Sequence, residues 1–410
     1  MERVVVTGLG VVSCIGNDVS SFWEALLAGR SGIGAISGFD TANLAVKIAG
    51  EVKAFEFDLK LGKRLDRFSQ FAFSAAGQAL EQAGIHSRTE NGLDPERIGV
   101  SIGTGIGGEL FLERQHQRFL ERGPGRFHPL TIPIIIPNMA SANVAIHHHF
   151  TGPNLCIATA CATGNHNIGA ATDLIRLGRA DVMIAGGTEA VISAFAIDGY
   201  HQIKALSTRM SDPQRASCPF SGERDGFVLA EGAGVVVLES FSHARARGAE
   251  ILAEVAGYGI NADAHHLTAP SPDGHGAVTA IRLALQDGGL NPDDLSYISA
   301  HGTSTSLNDA LETLAVKTVF GEKAKSIPIS SIKSMVGHSL GGAAGIEAVA
   351  SVMALRNNAI PPTINLDTPD PELDLDYVPN TARDAKLEVI LSSSFAFGGQ
   401  NAVVAFRQPP

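Results

Sequence analysis

Short runs of β-branched residues alternate with longer Ala-rich stretches along the whole chain, and this alternation limits the fold more than any other feature. VVVTG (4–8), GVSIGTG (99–105), VMIAGG (182–187), GVVVLE (234–239), YISAHG (297–302), PISSIKS (328–334) and EVILSSS (388–394) read as strands, mostly buried on both faces. Between them, 66–84, 163–177, 274–287, 305–319 and 341–356 read as helices. The alternation predicts an α/β fold with helices covering a sheet. TACATGNHNIGAATDLI and KSMVGHSLGGAAGIEAV each place a reactive residue just before a small-residue helix, and each follows a strand. That echo suggests two related halves, 1–250 and 251–410.

A chain of 410 residues that is 44% hydrophobic and 18% charged accommodates one large core or two fused ones. Its net charge of −11 argues against nucleic acid as the main partner, because phosphate needs a basic face. Cys14, Cys156, Cys161 and Cys218 are too few for a disulfide framework at this length, so a reducing compartment, the cytoplasm, is expected. The opening MERVVVTGLG lacks the apolar core of a secretory signal. TIPIIIPNMASANVAI is interrupted by prolines and asparagines, and no membrane span is expected.

Cys161 stands among Ala, Thr and Gly, immediately before a helix-like run. A thiol at a helix N-terminus faces unpaired N–H groups and the positive end of the dipole, both of which favour the thiolate. The same N–H groups would bind a developing oxyanion. The competing reading is a buried, inert cysteine. Cys156, inside an apolar run, fits a core position, and Cys14 and Cys218 carry no supporting constellation. His301 opens HGTSTSLND, and Lys333 and His338 belong to KSMVGHSLGGAAG. All three fall at expected strand C-termini, where α/β sheets collect their sites. Two imidazoles there can donate to one carbonyl oxygen or move protons to and from it. Phe397 precedes two glycines in SFAFGGQN and reads either as core or as a movable lid on Cys161.

TACATGNHNIG, AHGTSTSLND, KSMVGHSLGGAAG and SFAFGGQN resemble, in that order, the four signature blocks of the β-ketoacyl-acyl-carrier-protein synthases, most like the synthase II branch. VVVTGLGVVSCIGN, RADVMIAGGTEA and PFSGERDGFVLAEGAGVVVLE extend the resemblance over nearly the whole chain. The resemblance implies a thiolase-like five-layer αβαβα fold of two similar βαβαβαββ halves, working as a homodimer. The first half would carry the nucleophile, and the second the His, Lys and gate residues. It implies decarboxylative Claisen condensation of a malonyl carrier-protein thioester with an acyl group held on Cys161, lengthening fatty acyl chains by two carbons. His301 and His338 would bind the malonyl carbonyl, with Lys333 and Glu347 supporting them. Phe397 would gate the site and lend its N–H to an oxyanion hole. Thr303 and Thr305 would hold the phosphopantetheine arm, which arrives on the carrier protein, so that no permanent cofactor and no metal is implied. Ile106 would line the acyl pocket. The ketosynthase subunit of a type II polyketide synthase has nearly the same motifs and is the alternative. A thiolase would use a second cysteine and lacks the two-histidine pattern, and a chain-length factor lacks the nucleophile. Gln400, Ala396, Ser306 and Asn165 depart from the usual pattern.

Three further patterns are weighed. GTGIGG (103–108) fits a dinucleotide fingerprint but lacks the helix–strand continuation that fingerprint requires. His147, His148 and His149 are adjacent, so on a helix they cannot converge on one metal. His265 and His266 read as loop residues. Lys63, Arg64 and Arg67, joined by Arg126 and Lys204, form either a solvated face or a docking patch for an acidic carrier protein.

Overall fold

The computed structural model describes residues 2–85 and 93–410. All seven expected strands form, and the five expected helices appear as Arg67–Ala83, Thr163–Arg176, His275–Asp287, Ser306–Phe320 and Ala343–Asn357. Ten strands join in one sheet. From its centre outward one side runs Val4–Val12, Gly232–Ser240, Val182–Glu189, Ile98–Gly103 and Asn154–Leu155. The other side runs Ala253–Ala262, Gln400–Arg407, Val389–Phe395, Tyr297–Ser299 and Ile329–Ser330. Each side therefore has the order first, fifth, fourth, second, third along its own stretch of chain. Each also pairs antiparallel, antiparallel, parallel, parallel outward. The sides meet where Val4 pairs Val255 and Val6 pairs Ala253. The faint echo in sequence thus has a counterpart in strand order.

Two of the central strands were not expected from sequence. AEVAGYGINA (253–262) is rich in Ala and Gly, which strands disfavour, and Gln400–Arg407 directly follows a turn whose glycines dominate the local signal.

Helices Thr163–Arg176 and Ala343–Asn357 pack on strands of both sides and form the middle layer. Arg67–Ala83 covers one outer face, and His275–Asp287 with Ser306–Phe320 covers the other. The layers are αβαβα, with an apolar core at each outer helix layer and a third around the middle one. The two middle helices touch backbone to backbone: a Cβ on Gly164 would lie 2.4 Å from Gly345 N. That contact explains why both helices begin in small residues and why the residues just before them come close together. Among the described residues, no helix is long and apolar enough to cross a membrane.

Candidate active site

Cys161 occupies a short 3-10 turn, Ala160–Ala162, that leads into the middle-layer helix Thr163–Arg176. Ala160 has φ +47°, a left-handed conformation that is costly for a residue with a Cβ and kinks the chain just before the sulfur. The second half repeats this turn: Leu340 has φ +45° and precedes Gly341 and the helix Ala343–Asn357. Gly341 thus stands where the first half has Cys161.

Cys161, His301 and His338 are all buried. His338 Nε2 lies 3.1 Å from Cys161 Sγ, and the two imidazole rings are edge to face with centroids 5.5 Å apart. Behind them Lys333 Nζ reaches His301 Nδ1 at 3.5 Å and pairs with the Glu347 carboxylate. Lys333 and Glu347 are 1% and 2% exposed, so neither charge is answered by solvent. A cavity of about 290 Å³ is lined by Cys161, His301, His338, Thr303, Thr305 and Phe397, with Lys204 also on its wall. Residues 161 to 397, remote in sequence, thus face one space.

Burial pushes the Cys161 thiol up to about 11, against the opposing pull of the Lys333 charge and the Phe397 N–H. This corrects the expectation that the helix N-terminus alone favours a thiolate: at rest the sulfur keeps its proton, because desolvation outweighs the nearby positive charge. Burial, and then the Lys333 charge, hold His301 and His338 well below the ordinary imidazole range, so both are neutral. A neutral His338 beside a protonated thiol can accept that proton as the sulfur attacks.

Phe397, Gly398 and Gly399 form a tight turn in which Gly399 N–H donates to Ala396 O at 3.0 Å. Gly398 has φ +81° and ψ 0°, the conformation a type II turn demands at its third position. The turn is tied to a neighbouring loop, where Gly398 N–H donates to Leu267 O at 2.7 Å and Asn401 Nδ2 to Asp263 Oδ1 at 2.7 Å. His266 lies in that loop as an exposed residue, as does His265. Ala396 packs its methyl beside Phe397 in the apolar cluster that also holds Cys161. The Thr303 and Thr305 hydroxyls bond each other at 2.9 Å, and Thr305 caps the helix Ser306–Phe320. Ser306 is the first residue of that helix, where proline is easily accommodated, so either residue serves there. Asn165 Nδ2 donates to Ser392 O and Ser394 Oγ, both at 3.1 Å, and fastens the Cys161 helix to the strand before Phe397. Gln400 begins the strand Gln400–Arg407 and pairs with Ala262.

Other expected residues lie elsewhere. Ile106 is 40% exposed and is not part of the cavity wall. Lys63, Arg64 and Arg126 are exposed. Arg67 is committed to structure: its guanidinium donates to both Glu231 oxygens, at 2.9 and 2.7 Å, and to Val52 O at 3.0 Å. It is not free for a docking partner as the charge run suggested. Cys156 is only half-buried, against the core position expected of it, and Cys218 is buried. His147 and His148 end the helix Met139–His148, His147 meeting the Phe73 ring edge to face and His148 stacking on it.

Two carboxylates escaped the reading of the sequence. Glu312 accepts from His301 N–H and Gly302 N–H, both at 2.7 Å, and so fixes the backbone that presents the His301 ring. Its signal was an acidic residue on the buried face of the helix after HGTST. Glu189 accepts from Gly105 N–H at 2.8 Å, Ile106 N–H at 3.3 Å and Gly341 N–H at 3.1 Å. The amides of the GTGIGG loop that a pyrophosphate would need are therefore already occupied.

Burial raises Glu312 to about 7, above its ordinary 4.5. Its proton is held more tightly in the folded state, so its contribution to stability is fully present below about pH 4.5 and is lost as pH rises to about 7. Relative to Glu312→Gln, the parent protein is expected to lose about 3 kcal/mol across that window. Urea unfolding of both proteins at several pH values checks this, and parallel pH profiles would refute it.

A buried thiol, two neutral imidazoles and a buried ion pair thus meet where the two sides of the sheet share their middle layer. Residues 1–244 match the family model for the β-ketoacyl synthase N-terminal domain, and residues 252–367 match the model for its C-terminal domain. A 3-oxoacyl-(acyl-carrier-protein) synthase 2 of Synechocystis sp. is 50% identical, covering 99% of this chain and 98% of that one. Its counterpart in Coxiella burnetii is 47% identical over 99% of both chains. A β-ketoacyl synthase from Burkholderia phymatum superposes with a TM-score of 0.92 at 34% identity, covering 100% of each chain. A type II polyketide ketosynthase, solved in complex with its acyl-carrier protein, superposes with 0.90 at 38% identity and 100% coverage of each chain. The chain belongs to the β-ketoacyl synthase family.

Proposed function

We propose that the chain extends fatty acyl groups by two carbons, with the acyl group held on Cys161 and malonyl-carrier-protein as donor. The carrying observation is the 3.1 Å contact between His338 Nε2 and Cys161 Sγ, with His301 on the same cavity. In the first step His338 accepts the thiol proton, and the sulfur adds to the acyl thioester carbonyl. The Phe397 and Cys161 N–H groups stabilise the oxyanion, and the carrier thiol leaves with the proton. In the second step His338, in its Nε2–H tautomer now that the thiol proton is gone, joins His301 in donating to the malonyl thioester oxygen. Carbon dioxide leaves, its bonding electron pair stays on the α-carbon as the enolate, and that carbon attacks the carbonyl carbon of the acyl–Cys161 thioester. The C–S bond breaks, the β-ketoacyl product is released, and the Cys161 thiolate takes up a proton from solvent. Lys333, paired to Glu347, holds His301 from behind.

Thr303 and Thr305, on the cavity wall, are assigned to the phosphopantetheine arm, and Phe397 to the gate. Exposed Lys63, Arg64, Arg126 and Lys204 are assigned to docking an acidic carrier protein, which their positive charge would attract on an otherwise acidic chain. Fatty-acid extension is favoured over polyketide assembly because identity reaches 50% with the synthase 2 proteins and 38% with the polyketide ketosynthase. A homodimer belongs to the same proposal. The edge strand Asn154–Leu155 is exposed, Ile146 in the helix packed beside it is 67% exposed, and Ile132 in the next helix, packed on that one, is 64% exposed. So do the division into halves at residue 250, which the repeated strand order supports, and the cytoplasmic setting, which four unpaired cysteines support.

Incubation with an acyl-carrier-protein thioester is expected to leave one acyl adduct, on Cys161, read by peptide mass spectrometry. Condensation proceeding with Cys161 unmodified would overturn the assignment.

A further inference from the structure

The sulfur of Cys161 and one ring nitrogen each of His301 and His338 all lie within 4.8 Å of one another, and all three residues are buried. No other three His, Cys, Asp or Glu side chains among the described residues come together in this way. Thiolate sulfur and imidazole nitrogen are the donors from which zinc sites are built, and three protein ligands with one open position are usual where zinc meets a cavity. In a tetrahedral site with Zn–S near 2.3 Å and Zn–N near 2.0–2.1 Å, neighbouring donors stand about 3.3–3.7 Å apart. The 3.1 Å from His338 Nε2 to Cys161 Sγ would open slightly, and the wider separations would close by about 1 Å. The fourth position would face the cavity, where a water molecule can fill it.

We propose that Cys161, His301 and His338 form an inhibitory zinc site, in which Zn²⁺ competes with the acyl thioester for the same sulfur. On binding, Cys161 gives up its thiol proton to solvent and forms the Zn–S bond. Each imidazole contributes a nitrogen lone pair, and no electron is transferred. The ligands are not equal. His338 already points Nε2 at the sulfur, whereas His301 has Lys333 Nζ 3.5 Å from Nδ1. To offer Nε2, His301 must carry its proton on Nδ1, on the side where the lysine charge stands, so it is the weakest of the three. A soft thiolate with imidazoles selects zinc over magnesium or calcium, which prefer oxygen ligands. The proposal rests on donor geometry and makes no use of carrier protein or chain length.

The test uses the full chain in a buffer free of thiols and chelators, with zinc chloride as the probe. Equilibrium dialysis with elemental analysis reads bound metal, and mass spectrometry reads the rate of Cys161 alkylation by iodoacetamide. One zinc per chain is expected, with alkylation slowed about tenfold or more and restored by EDTA, and with no effect of magnesium. Cys161→Ser and His338→Ala are each expected to weaken zinc binding by about 100-fold, and His301→Ala by less. His147→Asn/His149→Asn, which alters the histidine run at the helix end, should leave both readouts unchanged. Alkylation that proceeds at full rate with zinc bound would overturn the site. So would an absence of bound zinc, or stoichiometric zinc retained in Cys161→Ser. None of these three results would touch the acyl-adduct experiment, so failure here is separable from failure of the proposed function.

Discussion

Cys161→Gln is expected to abolish condensation, with a loss on the order of 10⁴-fold or more, while decarboxylation of the malonyl thioester continues. The thiol is required only for the covalent step. The two donors that stabilise the enolate oxygen sit on other segments, His301 after the strand Tyr297–Ser299 and His338 after the short helix Lys333–Val336. His301→Ala and His338→Ala have the complementary phenotype. Each removes a donor to a developing charge in a water-poor cavity, and decarboxylation is expected to fall on the order of 10²–10³-fold. Assay of carbon dioxide release and of β-ketoacyl product from the same samples separates the two effects. If Cys161→Gln loses both activities while remaining folded, thiol and imidazoles do not have separate roles. If either alanine variant turns over malonyl thioester normally, that histidine is misassigned.

The second large effect concerns stability. Lys333→Met leaves the Glu347 carboxylate buried without its cation, and removal of one partner from such a pair costs about 3–5 kcal/mol. Burial already raises Glu347 to about 7, with Lys333 holding it down. Without the lysine the carboxyl takes up a proton more readily in the folded state. Its favourable contribution is then complete below about pH 4.5 and drains away as pH rises, so the variant is weaker at pH 8 than at pH 5. The double variant Lys333→Met/Glu347→Met removes both charges and is expected to recover most of the loss, because a hydrophobic pair of similar volume is often as stable as a buried ion pair. Denaturant unfolding of the parent, both single variants and the double variant gives the coupling directly. A double variant no more stable than Lys333→Met would show that the charge left behind is not the cause.

Cys161, His301, His338, Lys333 and Phe397 were legible because each sits in a turn of small residues, and His301, Lys333 and Phe397 closely follow a buried strand, a local pattern that survives in one dimension. The carboxylates that organise these groups were not. Glu312 acts through the backbone of His301, eleven positions earlier, and Glu189 joins two turns far apart in sequence. Neither belongs to a motif whose chemistry is visible without the packing. The proton on Cys161 was misjudged for a related reason: a helix end can be recognised from local sequence, but the depth at which it is buried cannot. Arg67 failed as a docking residue because Glu231, 164 positions away, claims its guanidinium. The strand Ala253–Ala262 was missed because its Ala and Gly content hides a central position that only its neighbours on both sides impose.

Cys161 and Gly341 follow matching left-handed residues at Ala160 and Leu340, yet only one of the two positions carries a side chain. A Cβ added at Gly341 would fall 2.4 Å from Gly105 N and 2.9 Å from Glu189 Oε2. Inserting a second thiol there would thus create a clash rather than a duplicate reaction centre. The internal symmetry ends at the chemistry. One member of the pair presents a thiol to the cavity, and the other is sealed by the molecule's own carboxylate, so a single sulfur per chain faces that space.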